Sequence, residues 1–221
     1  MKLLVANLKM YMDFHETLKF VKELDDVKNP KVVICPSNIY ISYFLNKGYK
    51  VGIQNIFYED VGAYTGEVSS FLAKSIGLEY AIVGHSERRK LFNETNEIIN
   101  KKIKSCLKNN LIPILCIGDN FLKNELLKQI DECLKGINRS DVIVAFEPLE
   151  VKELDLKMLD ETISFIKEQG INKVLYGGNV NINNINDIVK LCDGLLVSRS
   201  AVVPEKLKDL IKIMKNEFLQ V

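Results

Sequence analysis

The chain has 221 residues, with 30 Lys and Arg against 29 Asp and Glu, and 47% of its residues are hydrophobic. A formal net charge of +1 offers no electrostatic basis for nucleic-acid binding, and the apolar content excludes a disordered chain. No stretch approaches the roughly 18 uncharged residues of a membrane span. The short apolar start, which Lys9 interrupts, is unlike a signal peptide.

The cysteines are odd in number, widely spaced and without a Cys-x-x-Cys pair. This pattern predicts reduced, buried thiols in a cytoplasmic protein rather than a disulfide framework or a zinc site. We therefore expect neither a metal nor a cofactor. The five are Cys35, Cys106, Cys116, Cys133 and Cys192.

Short apolar runs alternate with amphipathic segments along the chain. Several runs are continuously apolar, which is typical of parallel strands buried on both faces. The predicted strands are Leu3–Ala6, Lys31–Cys35, Lys50–Gln54, Tyr80–Val83, Ile112–Ile117, Val142–Phe146, Lys173–Tyr176 and Gly194–Val197.

The segments between the runs show helical periodicity, as in Leu156–Gln169, where apolar residues recur every three or four positions. The others are Phe14–Leu24, Asn96–Asn109, Asn124–Leu134, Ile182–Leu191, Pro204–Leu219 and a weaker helix over Ser69–Ser75.

Strand and helix alternate eight times without a Pro/Gly/Ser-rich linker, which predicts one α/β domain over residues 1–221. A closed (β/α)8 TIM barrel fits this pattern, although such barrels typically have roughly 250 residues. The alternative is a doubly wound open sheet, but no Gly-x-Gly-x-x-Gly follows the first strand.

A barrel builds its active site at the carboxyl ends of its strands, where Lys9, His85 and Glu147 occur. Partial desolvation would raise the pKa of Glu147 and make it a better general base, unless it only pairs with an Arg. A helix start after His85, with Ser86 as its cap, would favour a neutral imidazole that donates to a substrate oxygen, although a structural histidine is the common alternative. Lys9 needs an anionic partner, either Glu87 or a substrate phosphate.

Gly177-Gly178-Asn179-Val180 follows the seventh strand, and its backbone N–H groups could hold an anion or simply form a turn. A base, a neutral electrophile, a cation and an anion cradle suit proton abstraction next to a carbonyl in a small phosphorylated substrate. Cys116 ends the fifth strand, and we predict packed support rather than a nucleophile.

The sequence resembles the triosephosphate isomerase family along essentially its whole length. The resemblance implies interconversion of dihydroxyacetone phosphate and D-glyceraldehyde 3-phosphate through an enediolate, without a cofactor, in glycolysis and gluconeogenesis. The matching stretches are Ala6-Asn7-Leu8-Lys9-Met10, Gln54-Asn55, Gly62-Ala63-Tyr64-Thr65-Gly66-Glu67, Ile82-Val83-Gly84-His85-Ser86-Glu87-Arg88-Arg89, Cys116-Ile117-Gly118, Ala145-Phe146-Glu147-Pro148, Tyr176-Gly177-Gly178 and Asp193-Gly194.

The resemblance assigns proton transfer to Glu147 and carbonyl polarisation to a neutral His85, and the family is an established example of this pKa tuning. It implies that Lys9 and Asn7 hold the phosphorylated triose.

By the same resemblance, Glu87 supports Lys9 and Cys116 packs beside the base. It also implies a homodimer, in which a projecting loop docks beside the partner's site, although the loop could be an ordinary turn. That loop consists of Tyr64, Thr65, Gly66 and Glu67.

The sequence departs from the family after Glu147-Pro148, where the family carries a lid with an aromatic hinge and a Gly-Thr-Gly tip. The segment Leu149–Asp155 is shorter and has no Gly, Thr or Trp. Lid closure excludes water, so we expect this loss to reduce rate and selectivity. Glu150 and Glu153 would also lie near an anionic substrate.

The second departure affects the predicted phosphate cradle. Ser198 and Arg199 replace the family's Gly-Gly, and Asn179 replaces a Ser. Asn179 can still donate through its side chain, and Arg199 either contacts phosphate in bidentate fashion or points to solvent. The predicted substrate contacts are Asn7, Lys9, Gly178, Asn179, Ser198 and Arg199.

Two functions remain open on the sequence. One is a triosephosphate isomerase, supported by the retained Asn7, Lys9, His85 and Glu147. The other is a related barrel with lost or altered activity, either a small-phosphate binder or an enzyme for another sugar phosphate, which the altered lid favours.

Overall fold

A computed structural model of the protein describes residues 2–118, 120–148 and 154–216. Its strands are all parallel and close into a barrel in sequential order, so the predicted (β/α)8 TIM barrel is confirmed over the open-sheet alternative. The strands are β1 (Leu3–Asn7), β2 (Val32–Cys35), β3 (Lys50–Ile53), β4 (Tyr80–Val83), β5 (Ile112–Ile117), β6 (Ile143–Phe146), β7 (Lys173–Tyr176) and β8 (Gly194–Val197).

Helices follow the strands around the outside of the barrel. Those in the described ranges are α1 (Phe14–Glu23), α2 (Ile41–Asn46), α3 (Ser70–Ser75), α4 (Ser86–Phe92), α5 (Asn96–Lys108), α6 (Lys123–Cys133), α7 (Leu156–Glu168), α8 (Ile185–Leu191) and α9 (Pro204–Asn216). Short 3-10 helices occur at Asp25–Val27, Asn38–Tyr40 and Arg139–Asp141.

The strands lie within one residue of the predicted bounds, because buried parallel strands have a strong sequence signal. The prediction missed α2, a six-residue helix without a side-chain cap to mark its start. It also began α8 three residues early, at Ile182 rather than Ile185. The predicted end of α9, at Leu219, lies outside the described residues.

Side-chain caps explain where several helices begin. At α1, the Asp13 carboxylate accepts the Glu16 N–H at 2.8 Å, and the Glu16 carboxylate accepts the Asp13 N–H at 2.9 Å. At α7, one Asp155 oxygen accepts the N–H groups of Lys157 and Met158. These contacts satisfy donors that the first helical turn leaves unpaired.

The core has two layers because side chains alternate across each strand. Leu4 and Ala6 of β1 face the helices, whereas Val5 points into the barrel. The inner layer contains Val5, Val33, Cys35, Ile82, Ile114, Cys116, Ile143, Ala145, Leu175 and Leu196. Continuing this alternation to the carboxyl ends places Asn7, Glu147 and Ser198 on the inward side at the barrel mouth.

The five cysteines are free and buried, as predicted. None of the helices described is long and apolar enough to cross a membrane.

Close contact between β8 and β1 generates a stability prediction. A Cβ at Gly194 would lie 2.1 Å from the Leu3 carbonyl oxygen, so no larger residue fits without backbone movement. We expect Gly194→Ala to lower the free energy of unfolding by about 1–3 kcal/mol, measured by urea denaturation. Lys173→Ala, at an exposed side chain of β7, should change it by less than about 0.5 kcal/mol. Equal stability of the two variants would contradict the contact.

Candidate active site

An open cleft of about 770 Å³ lies at the carboxyl ends of the strands. All of the predicted site residues line it except Cys116, which is buried. The predicted residues that line it are Asn7, Lys9, His85, Glu87, Glu147, Gly178, Asn179, Ser198 and Arg199.

Glu147 and His85 are in contact at the inner edge of this cleft. Glu147 Oε1 lies 3.3 Å from His85 Nε2, and the two side chains are 6% and 10% exposed. Gly177 provides the space, because a Cβ there would lie 2.8 Å from Glu147 Cγ. Sequence reasoning placed Gly177 in a flexible turn and missed this role, which depends on the pairing of β6 with β7.

Burial raises the pKa of Glu147, because desolvation disfavours its ionised form. Four neighbouring groups oppose this rise: the His85 imidazole, the Ser86 N–H, the charge of Lys9 and the Cys116 thiol. Desolvation also raises the pKa of Cys116 well above its usual value, which keeps the thiol protonated and able to donate to Glu147. The base is thus buried but stabilised when charged.

His85 is the N-cap of α4, so the prediction that Ser86 would cap this helix is wrong. His85 Nδ1 accepts the Glu87 N–H at 3.2 Å, and Ser86 is the first helical residue. A nitrogen that accepts a hydrogen bond carries no proton, and this contact therefore assigns the neutral imidazole its hydrogen on Nε2. That hydrogen lies on the side of Glu147.

Lys9 is held at both its backbone and its ammonium group. Its φ of 49° is in the left-handed region, and its carbonyl accepts Gln54 Nε2 at 2.8 Å and Ser37 Oγ at 2.9 Å. Its N–H donates to Asn7 Oδ1 at 3.1 Å. Lys9 Nζ lies 2.6 Å from Glu87 Oε1, so Glu87 is the anionic partner that the sequence required. Ser37 has no sequence signal, because its loop approaches Lys9 only in the folded barrel.

Gly178, in the loop after β7, is under a steric constraint. A Cβ at this position would lie 2.2 Å from the hydroxyl oxygen of the buried Tyr176. The backbone can therefore approach the cleft only with glycine at this position.

The loops after β7 and β8 are joined by a hydrogen bond from Ser200 Oγ to the Val180 carbonyl, at 2.7 Å. Asn184 Nδ2 donates to the Asn179 carbonyl at 2.9 Å. Among the described residues, none accepts a hydrogen bond from the N–H groups of Gly178 and Asn179. Such donors at a cleft are suited to an anion.

Ser198 and Arg199 both line the cleft but differ in exposure. The Ser198 hydroxyl is enclosed, without a hydrogen-bond partner among the described residues, and Arg199 is exposed. The lid residues Glu150 and Glu153 lie outside the described residues.

The structure places the loop of Tyr64, Thr65, Gly66 and Glu67 away from the cleft, between β3 and α3, with all four residues exposed. Its base is closed by a hydrogen bond from the Phe57 N–H to the Val68 carbonyl at 2.8 Å. The rings of Phe57 and Tyr64 lie 4.6 Å apart.

Within residues 2–118, 120–148 and 154–216, no group of three or more His, Cys, Asp or Glu could hold a metal ion. A buried base beside a neutral hydrogen-bond donor suits proton abstraction from a carbon next to a carbonyl. The fold and the site therefore place the chain among the (β/α)8-barrel enzymes that use acid–base catalysis.

Comparison with known proteins identifies the family. A family model described as triosephosphate isomerase matches residues 2–214. Triosephosphate isomerase of Dictyoglomus thermophilum is 36% identical, and the alignment covers 96% of this chain and 98% of the relative. That of Ehrlichia chaffeensis is 36% identical, with 95% of each chain covered. The enzyme of a Thermoanaerobacter species is 34% identical, over 91% of this chain and 94% of its own. The chain belongs to the triosephosphate isomerase family.

The raised pKa of Glu147 generates a prediction on stability. The folded protein keeps this carboxyl protonated to a higher pH than the unfolded chain does. The free energy of unfolding therefore falls as the pH rises above the usual glutamate pKa of about 4.3. We expect Glu147→Gln to increase the free energy of unfolding, relative to the wild type, more near pH 7 than near pH 4. Urea denaturation of both proteins at the two pH values measures this difference. The exposed Glu161→Gln should show no such difference. An equal effect of Glu147→Gln at both pH values would contradict the buried charge.

Proposed function

We propose that the chain is a triosephosphate isomerase that interconverts dihydroxyacetone phosphate and D-glyceraldehyde 3-phosphate through an enediolate. The observation that carries this proposal is the 3.3 Å contact between Glu147 Oε1 and His85 Nε2. It puts a base and a neutral donor within reach of one small substrate, and membership of the family supports the same reaction.

In the proposed reaction, the Glu147 carboxylate removes a proton from the substrate carbon next to the carbonyl. Electron density moves to the carbonyl oxygen, which accepts a hydrogen bond from His85 Nε2 as its negative charge develops. Protonated Glu147 then returns the proton to the neighbouring carbon, and the hydroxyl proton shifts between the two oxygens. The reaction ends with the base restored and no net gain or loss of atoms.

The polar environment of Glu147 suits a group that alternates between its charged and neutral forms. Desolvation favours the protonated carboxyl, whereas the Ser86 N–H, the Cys116 thiol and Lys9 favour the carboxylate. A base whose pKa is raised by burial takes up a proton from carbon more readily.

We propose that Lys9 and Asn7 hold the phosphorylated end of the substrate, together with Gly178 and Asn179. Lys9 supplies the charge, and it lines the cleft with its ammonium group beside Glu87. The unpaired N–H donors of the loop after β7 add directional contacts to phosphoryl oxygens.

We infer that two copies of the chain associate through the loop of Tyr64, Thr65, Gly66 and Glu67. The loop projects into solvent, and nearby Val61 is 72% exposed. Two further apolar side chains are exposed after β1, Met10 at 91% and Tyr11 at 57%. Apolar side chains left uncovered on the surface favour a contact with a second chain.

The first test is a coupled isomerase assay on the purified protein. We expect Glu147→Gln to lower kcat by about 10²–10⁴-fold, the usual contribution of a positioned general base. Glu161→Gln removes an equivalent carboxylate from the exposed side of α7 and should leave kcat unchanged. If wild type turns over no faster than Glu147→Gln, the isomerase proposal falls and a binding or altered-activity role remains.

The second test concerns the association of two copies. Sedimentation equilibrium should give a dimer for the wild type and a monomer for Thr65→Arg, since a charged side chain would have to be buried in the contact. Met158→Arg, at a partly exposed apolar position on α7, should remain dimeric. A Thr65→Arg dimer of unchanged affinity would rule out this interface.

A further inference from the structure

Arg199 lies in the turn between β8 and α9, next to the residues that surround the base. Strand β8 is paired with β1 on one side, with Ala6 opposite Val197, and with β7 on the other. This register brings the turn beside the carboxyl end of β1, where Asn7 and Lys9 lie. Arg199 is exposed and lines the same cleft.

The turn that carries Arg199 is held on both sides. The Ser198 carbonyl accepts the N–H groups of Ala201 at 2.8 Å and Val202 at 3.2 Å. Ser200 Oγ donates to the Val180 carbonyl across to the neighbouring loop. Because both flanking residues are anchored, the Arg199 backbone is positioned although its side chain is exposed.

Arg199 has a positive charge that none of the described carboxylates neutralises. The described acidic residues that line the cleft are Glu87 and Glu147. Glu87 pairs with Lys9 at 2.6 Å, and Glu147 lies beside His85 at 3.3 Å. Throughout the described part of the chain, Arg199 forms no ion pair. A guanidinium in this position is available to an anionic ligand.

We propose that Arg199 is a phosphate ligand of this enzyme, pairing two of its N–H groups with two phosphoryl oxygens. The ligand's identity as a triose phosphate rests on the proposed function, whereas the recognition of a phosphate does not. A planar guanidinium matches the geometry of two phosphoryl oxygens, which a lysine ammonium cannot reproduce. The backbone carbonyl of Ser198 holds the turn that positions Arg199.

This assignment makes phosphate affinity depend on a side-chain charge at the rim as well as on backbone N–H groups. An exposed cation is screened by salt more strongly than backbone donors within the cleft. Phosphate binding by the wild type should therefore weaken with ionic strength more steeply than binding by a variant without the guanidinium.

The test is calorimetric titration of inorganic phosphate into the wild type, Arg199→Gln, Arg199→Lys and Lys206→Gln, at low and high salt. Lys206 is exposed at the start of α9 and does not line the cleft, so Lys206→Gln removes an equal charge elsewhere. We expect Arg199→Gln to weaken binding about 10- to 100-fold, as loss of hydrogen bonds to a charged group implies. The phosphate affinity of Arg199→Lys should lie between those of the wild type and Arg199→Gln. The affinity of Lys206→Gln should match that of the wild type.

Titration of phosphate requires no turnover, so it separates this inference from the proposed function. Weaker binding by Arg199→Gln in a protein without isomerase activity would support the inference and contradict the function. In an active enzyme, Arg199→Gln should raise KM for the triose phosphate and change kcat little. Unchanged phosphate affinity in Arg199→Gln, or no phosphate binding by the wild type, would overturn the inference.

Discussion

The burial of one carboxylate, Glu147, is the constraint on which the other features of this site depend. The inner side of β6 is apolar, and the same alternation that points Ala145 inward points Glu147 into the barrel mouth. A carboxylate in that position has lost most of its water, and the groups that stabilise its charged form must come from the protein. They come from the ends of three other strands: the Cys116 thiol, the Ser86 N–H and the charge of Lys9. Gly177 leaves the necessary space.

A second set of contacts links His85, the neighbour of Glu147, to the ammonium group of Lys9. One backbone N–H, that of Glu87, donates to His85 Nδ1 and thereby directs the imidazole hydrogen towards the cleft. The side chain of the same Glu87 pairs with Lys9. The first turn of α4 thus orients both the neutral donor and the ammonium group. Since these contacts share one short helix, a change that moves α4 would disturb proton transfer and substrate binding together.

The two ends of the cleft are built differently. The base and its partners sit on strand ends, where pairing with neighbouring strands leaves little tolerance for substitution. The loops after β7 and β8 are held by side-chain contacts such as that of Ser200 with the Val180 carbonyl. Loops of this kind tolerate substitutions, and a glycine that offers only its backbone can be replaced by an arginine that offers a charge. In the proposed role of Arg199, a side-chain charge recognises the anion at this end of the cleft.

The amino-acid sequence by itself determined the class of fold, because continuous apolar runs and amphipathic segments have strong local signals. It also determined which residues follow each strand, and therefore that Lys9, His85 and Glu147 would share one face. Helix α2 was not predicted, because it is short and no side-chain cap marks its start. Only the tertiary structure decided that His85 rather than Ser86 caps α4, that Gly177 makes room for Glu147, and that Ser37 supports Lys9. The contacts of Gly177 and Ser37 join segments far apart in the chain, and closure of the barrel alone brings them within hydrogen-bonding or van der Waals distance. The His85 cap is a local contact with the Glu87 N–H, and it escaped the sequence because residue preference favours serine at that position.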